Sequence, residues 1–162
     1  PVYAKEVFQG NAATYGWLNA AIGVGAFAGA FHQATFDKTA NLKRLIIINT
    51  ILLGLSLIAF ASSTNLILTI LTLVVIGYSS LCQTTICMTI VQTETDRNFR
   101  GRVVSFMAMA IFGMLPLGSL LTGKIAPIIG SMQTLWAQGI LSILLAIIFF
   151  KNLIQKNKNN EQ

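Results

Sequence analysis

A chain of 162 residues with 54% hydrophobic and 10% charged side chains lies far from a water-soluble domain, where about one quarter of residues are charged. The net charge of +6 comes from basic residues gathered between long apolar runs. It reads as a signal of membrane topology and leaves a nucleic-acid partner without support.

A bilayer core takes about 20 helical residues per crossing, so the apolar runs resolve into five spans, at 12–35, 45–62, 66–91, 103–122 and 133–150. The expected fold class is an all-α membrane protein with five transmembrane helices. Residues 1–150 form a transmembrane unit and 151–162 a polar tail. Lys38, Lys43 and Arg44 lie between the first two spans, Arg97, Arg100 and Arg102 between the third and fourth, and Lys151, Lys156 and Lys158 after the fifth. Nine of the eleven basic residues thus share one side. The bias toward basic cytoplasmic loops places the C-terminus inside and Pro1 outside. The start at Pro1, without methionine or leader, is expected to follow further upstream sequence.

The first span carries Ala21, Gly25 and Gly29 at intervals of four. Small residues at that spacing let helix backbones approach closely in lipid, so this helix is expected to be packed centrally. Asn19, His32 and Gln33 are its polar members. His32, near the cytoplasmic end, reads as a helix-end polar residue or as a group titrating near neutral pH. The second and fifth spans are the most apolar and are expected at the lipid-facing rim.

The third span is the polar one. Tyr78, Cys82, Thr85 and Thr89 form a stripe at helical spacing, while Ser79, Gln83 and Thr84 occupy another face. Such a helix should touch a water-filled path or several protein neighbours. The Gln83 amide offers donors and an acceptor that hydrocarbon cannot satisfy, so it reads as an interhelical hydrogen-bonding group or a substrate contact. Cys82 and Cys87 are five residues apart and point in different directions. They read as small apolar packers rather than a disulfide.

In the fourth span, Gly113, Pro116 and Gly118 suggest a kink or hinge, because proline removes a backbone hydrogen bond and glycine loosens the next turn. No Asp, Glu, Lys or Arg falls in the middle of any span, so no proton relay or ion path of the usual kind is expected in this segment. One histidine and two cysteines match no metal-ligand spacing, and no nucleophile, base and orienting acid gather anywhere. The expectation is a non-enzymatic protein without cofactor.

Arg100-Gly101-Arg102-Val103-Val104-Ser105 precede a helix that ends Pro116-Leu117-Gly118-Ser119-Leu120-Leu121-Thr122-Gly123. This pairing resembles the second-last helix of the major facilitator superfamily, in the branch of enterobactin-exporter-like and macrolide-efflux-like permeases. Pro1-Val2-Tyr3-Ala4 looks like the outer end of that family's seventh helix, and Tyr15-Gly16 opens its eighth. The resemblance implies helices eight to twelve of a twelve-helix fold, with alternating access to a midplane site between two halves. It further implies an efflux permease of a bacterial cytoplasmic membrane, either an antiporter with its coupling carboxylates in the missing N-terminal half, as is common in efflux members, or a family member of the uniport kind. The family's gating motif has a degraded echo in Asp37-Lys38 and Lys43-Arg44, so Asp37, Arg100 and Arg102 are candidates for a cytoplasmic gate or for headgroup contact.

Tyr78, Gln83 and Thr85, with Asn19, are the candidate substrate path. The expected partners are a small organic substrate, membrane lipid and the missing half. A membrane scaffold or subunit that assembles with a partner chain is the alternative.

Overall fold

The computed structural model describes residues 12–35 and 41–160, with side chains over 13–35 and 41–151. Among the described residues the regular structure is all helix, in the order α1 (Ala12–Ala34), α2 (Leu42–Ser62), α3 (Leu66–Glu94), α4 (Arg100–Ile129) and α5 (Ser131–Asn160). The last four are long and apolar enough to cross a membrane. At 23 residues α1 has sufficient length, but Asn19, His32, Gln33 and its many glycines and alanines dilute its hydropathy.

Local sequence sets the breaks. Asn41 caps α2 by accepting a hydrogen bond from the Arg44 amide through its side chain, and Asn65 caps α3 by accepting one from Ile67. Between them Ser63 closes α2, its hydroxyl donating to the Asn65 carbonyl while the Thr69 hydroxyl donates to Ser63 Oγ. The Ser-Ser-Thr-Asn pause in the sequence is therefore a turn knitted by its own hydroxyls. The break between α4 and α5 is one residue, Gly130, at φ 107°, a conformation that side chains with a Cβ rarely adopt. Here α4 runs seven residues past the end read from the sequence. Lys124 and Pro127 look like loop residues, yet a proline removes only one helical hydrogen bond and the helix absorbs it.

Glycines fix which helices pair. A Cβ at Gly25 would collide with the Val74 carbonyl oxygen, and one at Gly77 with that of Ile22. Backbone meets backbone along the α1–α3 seam, where the stripe of Ala21, Gly25 and Gly29 lies. A second seam joins α2 to α5, where added Cβ atoms would fall 2.8 Å from the Gly139 oxygen at Gly54 and 2.9 Å from the Gly54 oxygen at Gly139. Leu18, Phe60 and Leu73 form a buried cluster with Leu135 against it, tying α1, α2, α3 and α5 together.

One helix is not where its composition suggested. α2 lies inside the described bundle, packed on both α3 and α5, because Asn49, Gly54 and Ser56 turn small or internally bonded groups inward. The uncovered helix is α4, which has no buried residue. It touches α3 and α5 only lightly, and Gly113, Gly118 and Gly123 face open space.

Candidate functional site

The polar residues of α1 and α3 meet along their glycine seam. Tyr78 Oη and His32 Nδ1 share a hydrogen bond of 2.6 Å across the two helices, with the rings tilted by 32° at 5.8 Å between centroids. When Nδ1 is the unprotonated ring nitrogen, the phenol O–H donates. Around the pair, Gln33 Nε2 donates to the Cys82 carbonyl at 3.3 Å, and the Cys82 thiol points to the Gly29 carbonyl at 3.8 Å. Gly29 leaves room for this contact, since a Cβ there would lie 3.0 Å from the Tyr78 carbonyl oxygen and 3.3 Å from Cys82 Sγ.

The register of this seam gives the depth of His32. Gln33 bonds Cys82, twelve residues before Glu94 ends α3, which is about 18 Å along the axis. His32 is near the end of its own helix but beside the middle of α3. The far end of α3 is marked instead by an exposed ion pair, Lys43 to Glu94 at 2.7 Å.

Of the residues singled out in the sequence, Tyr78 and Thr85 lie on one flank of α3, seven residues apart. Thr85 is exposed, and its carbonyl accepts the Thr89 hydroxyl. Gln83 is five residues from Tyr78 and so about 140° around the helix; it faces α2 and α5, across a cavity from Thr50 and Ser142. Asn19 donates to the Tyr15 carbonyl of its own helix, on an exposed flank of α1 away from His32. Arg100 and Arg102 are exposed in the first turn of α4, whose N-cap Phe99 makes no side-chain cap bond. Gly113, Pro116 and Gly118 lie inside α4, which is continuous through them. Asp37 lies outside the described residues.

His32 as a partner of Tyr78 was missed by the sequence reading. A lone histidine on one helix and a tyrosine 46 residues later carry no sign of contact until the helix pairing and its register are known. A cleft of about 680 Å³ also opens between α4 and α5, where Gln138 Nε2 donates to Thr122 Oγ1 at 3.1 Å.

A family model described as transmembrane secretion effector, of the major facilitator type, matches residues 1–162. The chain belongs to that family. It is a multi-pass membrane protein of a transporter family, as the Arg-Gly-Arg-Val and Pro-Leu-Gly elements implied. Among curated proteins, this chain is 28% identical over 135 residues to the multidrug efflux pump Tap of Mycolicibacterium fortuitum, covering 82% of the chain and 32% of that protein. It is 25% identical over 150 residues to a staphyloferrin A transporter of Staphylococcus aureus, covering 93% and 37%. The chain thus spans about a third of the length of these relatives. No solved structure gives a significant match.

Proposed function

We propose that this chain forms the C-terminal part, helices eight to twelve, of a twelve-helix efflux permease. It exports a small organic compound from the bacterial cytoplasm by alternating access. The observation that carries the reading is the contrast between α4 and the rest of the bundle. A helix apolar enough to span the membrane, with small residues on it and nothing buried, is a surface on which further helices of a transporter would close. The relatives, about two and a half times as long, support the same arrangement.

The substrate path runs beside α3. Tyr78, held by His32, presents a phenol at mid-helix, and Thr85 presents a hydroxyl on the same flank. Gln83 and Asn19 belong to the proposed path as further polar groups on these two helices, each on a different flank from Tyr78. All are neutral, so they orient a substrate by hydrogen bonds, and charge coupling is supplied by the other half. Pro116, flanked by Gly113 and Gly118, is the hinge of α4. Arg100 and Arg102 act at a cytoplasmic gate or against anionic headgroups, and Asp37 is a further candidate for the same role. A scaffold subunit would present the same uncovered α4 to a separate partner chain.

The test is flux through the intact protein, purified and reconstituted into proteoliposomes, under an imposed proton gradient, with ethidium as a drug-like probe and staphyloferrin A as the second probe. Gradient-dependent movement of either supports a permease. A folded, correctly inserted protein that moves neither would overturn the reading and favour the scaffold.

A further inference from the structure

The α2, α3 and α5 helices border an open cavity of about 290 Å³ on the flank of α3 away from Tyr78, and of the proposed path residues Gln83 alone lines it. Its polar lining is Thr50 from α2, Gln83 from α3 and Ser142 from α5. Leu145 and Phe149, both exposed, form a rim open to the outer surface of the bundle. Thr50 is eight residues from Leu42, where α2 begins, and Gln83 eleven from Glu94, where α3 ends. The cavity therefore lies about 12–16 Å in from the Lys43–Glu94 end, within the hydrocarbon depth of a span.

The hydrogen-bond inventory of this cavity is incomplete in a specific way. The Thr50 hydroxyl donates to the Ile46 carbonyl at 2.7 Å, and the Ser142 hydroxyl to the Thr50 carbonyl at 3.4 Å. Both protons are committed, so each hydroxyl oxygen is left with acceptor capacity alone. Gln83 makes no side-chain hydrogen bond among the described residues, although its amide holds two donors and an acceptor. An acyl chain satisfies none of these groups, and unpaired amides are costly in hydrocarbon. No ionisable side chain lines the cavity, and Glu94 is engaged by Lys43, so neither a cation nor an anion would find a counter-charge.

We infer that the Thr50–Gln83–Ser142 cavity is a binding site for a small neutral amphiphile bearing a hydroxyl group, entering from the lipid side past Leu145 and Phe149. The hydroxyl proton goes to Thr50 Oγ1 or Ser142 Oγ, its oxygen accepts from the Gln83 amide, and the apolar part lies against Ile46, Ile47 and Ala146. The volume suits a molecule of roughly ten heavy atoms, at about 30 Å³ for each water-sized unit. Binding here does not depend on the transport reading.

The experiment is photolabelling of the intact protein in proteoliposomes with 3-azioctanol, a diazirine alkanol, alongside the corresponding azi-octane without the hydroxyl, with adducts mapped by mass spectrometry. The expected result is saturable labelling at Gln83, Ser142, Leu145 or Phe149 that unlabelled octanol displaces. Gln83→Leu should lower it by about five- to tenfold, the worth of one lost hydrogen bond, and should leave azi-octane labelling unchanged. Thr50→Val, which keeps the side-chain shape, should lower it by a smaller factor and serves if Gln83→Leu does not fold. Labelling that rises linearly with membrane alkanol, spreads equally to Phe112 and Leu120 on exposed α4, or is indifferent to these substitutions would overturn the site and leave lipid chains or water as its occupants.

Discussion

At the scale of single residues, the seam between α1 and α3 contains two kinds of contact with different consequences when lost. Gly77 is held against the Ile22 carbonyl oxygen, and backbone cannot swing aside as a side chain can. Gly77→Ala should therefore push α1 off α3 and cost on the order of 1–3 kcal/mol, as overpacking in a close-fitted interior does. A fall in detergent melting temperature relative to wild type would show it, and an unchanged melt would mean the helices are not in this register. Tyr78→Phe keeps the ring packing but removes the phenol that meets His32 Nδ1 at 2.6 Å. Its cost to stability should be about 1 kcal/mol, the net worth of one hydrogen bond. If the phenol also orients substrate, flux should fall by more than that loss accounts for. A melt shift without a flux defect would make the pair structural only.

At the scale of elements, how readily each helix could be read follows from where its information lies. The α2–α3 turn was legible because Ser63 and Asn65 act on their own neighbours. The α4–α5 break falls between the two expected spans, but its single-residue extent was not legible, since one glycine at positive φ gives a weaker signal than the nearby lysine and proline that the helix absorbs. The glycine stripe of α1 announced a close partner, but nothing in the sequence named α3 as that partner. The His32–Tyr78 pair and the separation of Gln83 from Tyr78 were hidden for the same reason. The rim position expected for α2 failed because hydropathy does not register the inward turn of Asn49 and Ser56, whose side chains bond their own helix. For α4, Pro116 inside a continuous helix leaves the Phe112 carbonyl without its usual amide donor, a local weakness suited to bending. Pro116→Ala restores that donor and should lower the maximal rate of transport severalfold with little change in KM, read from substrate-dependent flux. Equal rates in the two proteins would remove the hinge.

At the scale of the whole molecule, α1, α3, α2 and α5 pack in that order, each against the next, and α4 lies only lightly against α3 and α5. Those four helices carry their own packing, whereas α4 has no fully buried residue and leaves most of its surface uncovered. The orientation of the chain rests on the basic residues at the α1–α2 and α3–α4 connections and after the last span. With Lys151→Cys in an otherwise cysteine-free background, a membrane-impermeant maleimide should label everted vesicles and spare intact cells. Labelling of intact cells would invert the topology and, with it, the direction of export.

The central claim, that this chain works as half of an efflux permease, is tested most directly by measuring gradient-driven flux of ethidium and staphyloferrin A through the intact protein in proteoliposomes, with Tyr78→Phe beside it. The account predicts flux that collapses when a protonophore dissipates the gradient and that falls about tenfold or more in the variant, beyond the roughly fivefold that corresponds to the 1 kcal/mol of one hydrogen bond. Absence of flux for both compounds in a folded, oriented protein, or equal flux with and without the gradient, would contradict it.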